Sequence, residues 1–303
     1  MRRLNKLLTL ILMVSLCLAG YSQEVSAAAA DDSAQSGTLA LQGQHLSTPY
    51  TQVPIYIDGL LMDKACLKDG ELYFSPAVIC SWLGIDWSWQ GDENNFTLTL
   101  DGIDFTGDSS MNYLTGNGRY FYAPQGWFTA NDRLYLPYDL LCRYLCLDAA
   151  VAEDNSSLSL STLNARIIPG GDDYYELNYA SEDIFWMSQI IHAESWQQPM
   201  AGQIGVGNVV LNRVAAEQYP DTIFDVIFDM QGVVQFEPIT NGSVYSTPDE
   251  QSIIAAYLCM DGYNTVGDSL YFVNPSYGSA WFDSTLKFNL AIGDHNFYTN
   301  WSE

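Results

Sequence analysis

Residues 71–86 (Glu-Leu-Tyr-Phe-Ser-Pro-Ala-Val-Ile-Cys-Ser-Trp-Leu-Gly-Ile-Asp) recur without gaps at 133–148 as Arg-Leu-Tyr-Leu-Pro-Tyr-Asp-Leu-Leu-Cys-Arg-Tyr-Leu-Cys-Leu-Asp. The parallel continues through Asp92 and Asp154 to two runs that alternate in polarity, 96–100 and 158–162. A repeat of this kind obliges the chain to build the same supersecondary unit twice. Each copy reads as strand, short helix, strand, with period-two patterning in the closing run. The block 53–164 is therefore expected to be an α+β module with an internal repeat.

Its flanks have a different character. Residues 1–29 open with Met1-Arg-Arg-Leu-Asn-Lys6, continue through an apolar run from Leu7 to Tyr21 and end in Val25-Ser-Ala-Ala-Ala29, the plan of a secretory signal peptide. Cys17 follows the bulky Leu16 and reads as part of the apolar run. Residues 30–52 are small and polar and read as a linker. A second linker is expected at 165–180, around Pro169-Gly-Gly-Asp-Asp173. From 181 to 303 the pattern becomes mainly helical with a small β element, long enough for a core of its own. Ser181 can cap the first helix, with Glu182 and Asp183 at its positive end. Residues 203–216 read as a buried helix in which Gly205 and Gly207 allow close approach. Thr247-Pro-Asp-Glu250 reads as the start of another helix, which stops at Gly262. Strands are expected at 269–273 and over the alternating Leu286, Phe288, Leu290 and Ile292.

The first of these helices carries the chemistry. At about 100° per residue, Ile184, Trp186, Met187, Ile190 and Ile191 fall within a quarter turn of Glu194, while Phe185, Ser188, Gln189 and His192 lie on the other side. One carboxyl thus interrupts an apolar stripe. Burial penalises its charged form and raises its pKa, which suits a general acid. A structural ion pair with Arg213 on the next helix would explain the same pattern. Gln203, Asn208, Asn212 and Arg213 interrupt that second helix and could orient Glu194 or a substrate, or could serve packing and capping.

The chain holds 36 acidic against 11 basic residues, a net charge of −25. Nucleic acid is an improbable partner for such a surface, and a neutral glycan met by aromatic faces is the more plausible large ligand. Beyond Cys17 the cysteines are Cys66, Cys80, Cys142, Cys146 and Cys259, an odd set that leaves at least one thiol unpaired within the chain. Cys142 and Cys146 lack metal-ligand spacing and read as buried thiols. No metal or cofactor is expected.

The block at about 53–162 resembles the copper amine oxidase N-terminal-like domain, an α+β module common on secreted bacterial proteins. It contains no histidine, so a copper site is not expected. A stalk or attachment role toward the wall or another protein is what the likeness implies. From about 183 to 298 the chain resembles the cell wall hydrolase family of spore-cortex lytic enzymes. The resemblance is carried by Ala193-Glu194, Pro199, Gly202-Gln203 and Val209-Val-Leu-Asn-Arg-Val214. It continues in Gln235-Phe236, Leu270-Tyr-Phe-Val-Asn-Pro275 and His295-Asn-Phe-Tyr298. It implies a mainly helical, lysozyme-like fold that cleaves peptidoglycan glycan strands, with Glu194 in the place of the catalytic glutamate. Gln203, Gln235, Tyr271, Asn274 and His295 are the expected substrate-binding residues. Ser195-Trp-Gln-Gln198 departs from the family's usual Ala-Arg-Gly-Glu, and Glu237 stands where serine is more typical. These departures bear on substrate preference.

In the implied mechanism Glu194 protonates the oxygen between N-acetylmuramic acid and N-acetylglucosamine. As the conjugate base it then accepts the proton of the muramic 6-hydroxyl, giving a 1,6-anhydro product as a lytic transglycosylase does. A hydrolytic muramidase would need a second carboxylate at about 5–9.5 Å, for which Glu237, Asp283 and Asp294 are candidates. A metallohydrolase built on His192 and Glu194 fails because positions two apart on a helix face nearly opposite ways. A serine hydrolase built on Ser195 lacks the Gly-x-Ser-x-Gly elbow. A non-catalytic wall-binding protein remains the alternative. The reading is an α+β, secreted, wall-associated peptidoglycan-degrading enzyme, its link to spore cortex and germination resting on the family likeness.

Overall fold

Asp58-Gly59, Asp69-Gly70, Asp101-Gly102 and Asn117-Gly118 each hold positive φ at both positions. This is the backbone of two-residue hairpin turns whose twist matches the flanking strands. They set the first half of the chain into antiparallel order in the computed structural model, which describes residues 50–171, 181–230 and 235–300. The signal peptide expected at 1–29, nearly all of the linker at 30–52 and the part of the second linker at 172–180 lie outside the described residues. The strands are β1 (Thr51–Ile57), β2 (Leu60–Lys68), β3 (Glu71–Phe74), β4 (Trp87–Gly91), β5 (Asn95–Leu100), β6 (Ile103–Asp108), β7 (Tyr113–Gly116), β8 (Arg119–Tyr122), β9 (Phe128–Ala130), β10 (Arg133–Pro137), β11 (Asp148–Val151) and β12 (Leu158–Ser161). Two short helices, α1 (Pro76–Leu83) and α2 (Tyr138–Tyr144), follow β3 and β10.

The two repeat copies begin alike and meet: β3 and β10 are antiparallel neighbours, with Phe74 opposite Leu136. Cys80 and Cys142 occupy equivalent buried positions in α1 and α2. The copies then diverge. β4 and β5 open a five-stranded sheet of order β4-β5-β6-β7-β8, whereas β11 and β12 join a seven-stranded sheet of order β11-β12-β1-β2-β3-β10-β9. β12 does so by pairing parallel with β1. One core fills the module, with Ile55, Phe74, Ile79, Leu98, Phe105, Phe121, Leu136, Leu141 and Leu158 essentially inaccessible.

The second half is α3 (Ser181–Ser195), α4 (Met200–Ala215), α5 (Ile223–Ile227), α6 (Glu237–Asn241), α7 (Glu250–Met260) and α8 (Ala280–Thr285), with β13 (Tyr271–Val273), β14 (Lys287–Ile292) and β15 (His295–Thr299). The whole is α+β. α3 packs against α4, α5, α6 and α7 and is buried more widely than its apolar stripe predicts: Ser188 and Gln189, expected on the polar side, are buried too. Ser188 Oγ donates to Phe185 O at 2.8 Å, and the Gln189 amide, turned to donate, reaches Val244 O at 2.9 Å. Met187, Ile190, Ile191, Ile204, Val210, Ile254 and Leu258 share one core. α7 starts two residues later than Thr247 suggests, because Asp249 is the cap that accepts from Ser252 N at 2.8 Å.

In the small sheet β15 lies between β13 and β14, a central strand absent from the sequence reading. The register slips between Phe288 and Leu290. Leu286 lies before the strand, at the end of α8, and is buried while Phe288 is 51% exposed, breaking the alternation expected of that run. The described segments from Tyr50 onward form one compact unit. Its two halves are joined by the buried pair Arg119 Nη2–Asp261 Oδ1 at 2.7 Å and by Arg143, whose guanidinium lies 4.0 Å from the Tyr263 ring. No described helix is long and apolar enough to cross a membrane.

Candidate active site

Glu194 sits in the last turn of α3, where the chain must leave the core. Trp196 N donates to His192 O and Gln198 N to Ser195 O, closing the helix, and Pro199 opens α4. Ser195 Oγ donates to Ile191 O at 2.7 Å and is buried, committed to the helix backbone. Gln203 is fully buried. Its Nε2 donates to the carbonyls of Trp196 at 3.3 Å and Gln198 at 3.1 Å, and its Oε1 accepts from Ser252 Oγ at 3.2 Å. Gln203 therefore holds the turn that follows Glu194. Expected to bind substrate, it lies instead beneath the cleft, fully buried, with both amide N–H donors committed to backbone carbonyls and Oε1 to Ser252.

The other polar residues of α4 stitch the domain together. Asn208 Nδ2 donates to Tyr263 O, Asn212 Nδ2 to Gly267 O and Ser269 O, and Arg213 Nε to Leu270 O, each at 2.8 Å. These bonds fix the segment that leads into β13. They thereby place Phe272, Val273 and Asn274 against Glu194 in a polar cleft of ≈ 500 Å³. Gln235, Glu237, Asp294 and His295 complete the cleft with Arg213, Trp196, Gln198 and Tyr277. Of the expected substrate-binding residues, the fold brings Gln235, Asn274 and His295 to Glu194. Tyr271 stands outside this lining, its ring 5.7 Å from the Arg213 guanidinium.

Burial pushes the Glu194 carboxyl up to about 7, the charge of Glu237 adds to this, and the Arg213 cation opposes it. Among the described residues no ion pair joins Glu194 to Arg213. Arg213 is caged instead by the rings of Phe236 (5.1 Å) and Tyr219 (5.2 Å), and its buried Nη1 has no hydrogen-bond partner. Burial lowers the pKa of His295, so its ring is neutral near pH 7, and its Nδ1 is also unpartnered. Of the three candidate second carboxylates, Glu237 is exposed on the cleft wall at the start of α6. Asp294 faces Gln198, whose Nε2 donates to its Oδ2 at 3.2 Å. Asp283 accepts from Ser279 Oγ and Tyr298 Oη and lies outside the cleft lining. Trp196, Gln198 and Tyr277 were not expected in the site. Proximity of Trp196 and Gln198 to Glu194 in sequence was the available signal, whereas Tyr277 had none. Among the described residues no cluster of three or more histidine, cysteine or acidic side chains is placed to hold a metal ion. The five described cysteines are free thiols.

A mainly helical domain that presents one carboxyl with its pKa raised to about 7 in an open cleft has the equipment of a general-acid catalyst. The C-terminal region matches the Cell Wall Hydrolase family model over residues 197–298, beginning just past Glu194. It is similar to the spore cortex-lytic enzyme of Bacillus cereus, 32% identical over 119 residues that make up 39% of this chain and 45% of that one. The spore cortex-lytic enzyme of Halalkalibacterium halodurans is 32% identical over 39% of this chain and 35% of its own. Among solved structures, the catalytic domain of the germination-specific lytic transglycosylase SleB from Bacillus anthracis is 31% identical, covering 40% of this chain and 97% of that domain, with a TM-score of 0.37. The chain spans less than half the length of the curated relatives it matches.

Proposed function

We propose that the C-terminal domain cleaves the glycan strands of peptidoglycan at the N-acetylmuramic acid to N-acetylglucosamine bond as a lytic transglycosylase. The observation that carries this is Glu194: a half-buried carboxyl in an open cleft, with its pKa pushed up to about 7. In its neutral form it donates a proton to the glycosidic oxygen. The carboxylate left behind takes the proton of the muramic 6-hydroxyl as that oxygen attacks the anomeric carbon. Arg213 favours the carboxylate stage, and Glu237 favours the acid stage. The similarity to the spore cortex-lytic enzymes of Bacillus cereus and Halalkalibacterium halodurans supports a lytic action on peptidoglycan. Secretion through residues 1–29, action at the cell wall and a role in germination belong to this reading. So does an accessory role for the N-terminal module, as a copper amine oxidase N-terminal-like domain that contacts the wall or another protein.

A hydrolytic muramidase is the second reading, and the observation that favours it is Glu237, which shares the cleft and acts on Glu194 through its charge. The test is mass spectrometry of fragments released from purified peptidoglycan by the wild type and by Glu194→Gln. Anhydromuramic ends that vanish in the variant support the transglycosylase. Reducing muramic ends assign hydrolysis. Release undiminished by the substitution removes Glu194 from the chemistry.

A further inference from the structure

Two rings on the walls of the Glu194 cleft are left in solvent. Trp196 is 54% exposed and Tyr277 89% exposed, and both line the cleft. Leaving an indole and a phenol in water forgoes the free energy that burying them would supply. The backbone beneath each ring is nevertheless pinned. Trp196 stands on the turn whose carbonyls, at 196 and 198, are held by the fully buried Gln203. Tyr277 stands on a 3-10 turn at Pro275–Tyr277 in which the Asn274 side chain accepts from Ser276 N at 2.9 Å and Asn274 O accepts from Tyr277 N at 3.0 Å. Exposed rings on fixed mounts bind with little ordering cost. The exposed charges of the cleft are the carboxylates Glu237 and Asp294, while its one guanidinium, Arg213, is buried. Such a cleft repels anionic groups and admits neutral ones.

We propose that Trp196 and Tyr277 are the stacking platforms of a subsite for uncharged N-acetylated hexosamine rings, which present the linking oxygen to Glu194. The face of axial C–H bonds on a pyranose packs against the negative face of an aromatic ring, and its hydroxyls stay at the edge in water or on Gln198 and Asn274. The inference rests on the glycan-cleaving reading above and adds to it the residues that select a neutral sugar. Trp196 and Tyr277 act in binding, and the proton transfers stay with Glu194.

The test has two arms on the full chain. In the first, Glu194→Gln protein is titrated with the soluble N-acetylglucosamine tetramer and followed by tryptophan fluorescence; adding Trp196→Ala or Tyr277→Ala is expected to weaken binding about tenfold. In the second, Trp196→Ala in the active protein raises KM on peptidoglycan about tenfold with kcat within about threefold, and Trp196→Phe recovers most of the loss. Tyr277 is so exposed that its removal leaves the core intact, so its variant reports on the subsite if Trp196→Ala does not fold. Unchanged KM and tetramer affinity in both alanine variants would overturn the subsite while leaving the glycosidase reading standing. A wild type that binds the tetramer through these rings yet releases no fragments would overturn the glycosidase reading and keep the subsite. No binding and no release would overturn both.

Discussion

At Glu194 the folded protein holds its carboxyl proton up to about pH 7, whereas an ordinary glutamate releases it near 4.5. The folded state therefore binds more protons than the unfolded chain between those values, and stability is lost as pH rises through that window. Glu194→Gln, which is neutral at every pH, should be more stable than the wild type at pH 8 by up to about 3 kcal/mol and equal to it at pH 4. Urea unfolding of both proteins at the two pH values checks this, and equal stability at pH 8 would mean that the carboxyl is not destabilised by its site. Glu237 contributes to the same shift. Glu237→Gln should lower the Glu194 pKa and move the alkaline limb of the pH–rate profile to lower pH. A hydrolase that depended on Glu237 would instead lose its rate at every pH.

Among the elements, α3 and α4 decide whether Glu194 is aimed correctly, and their approach depends on Gly207. A β-carbon there would lie 2.6 Å from Cys259 Sγ and 3.0 Å from Ile191 Cδ1. Gly207→Ala should cost about 1–3 kcal/mol through overpacking and displace α3 one turn before Ser195, so denaturant midpoint and activity should fall together. At the start of α7, Asp249→Ala removes the bond to Ser252 N and should cost about 1 kcal/mol, measurable by thermal unfolding. Both positions were partly legible. Gly205 and Gly207 announced a close contact because little else tolerates it, but the cap of α7 was read at Thr247, where proline placement outweighed the aspartate. β15 escaped notice because a short run containing histidine and asparagine has no strong alternation, and only pairing on both sides makes it a strand.

For the whole molecule, the Arg119–Asp261 pair makes the N-terminal module part of the support of the C-terminal half. Both side chains are nearly inaccessible, at 5% and 6%, and Asp261 ends the helix α7 that packs on α3. Removing one member leaves the other charged and buried, so Arg119→Met should destabilise the full chain by about 3–5 kcal/mol. Calorimetry should show the loss in the transition that carries the C-terminal half, and a decrease confined to the N-terminal module would mean that the halves unfold independently.

What the sequence determined by itself is local or periodic. The repeat announced two equal strand-helix units, the apolar stripe around position 194 singled out one costly carboxyl, and the family likeness pointed to glycan cleavage. Only the tertiary structure sent the last strands of the two copies to different sheets, because β12 finds β1 as a parallel neighbour while β5 finds β6 through a two-residue turn. It also moved Gln203 beneath the cleft and brought Glu237, Tyr277 and His295 to its walls. Burial and long-range contact depend on which surfaces meet, and no spacing along the chain encodes that.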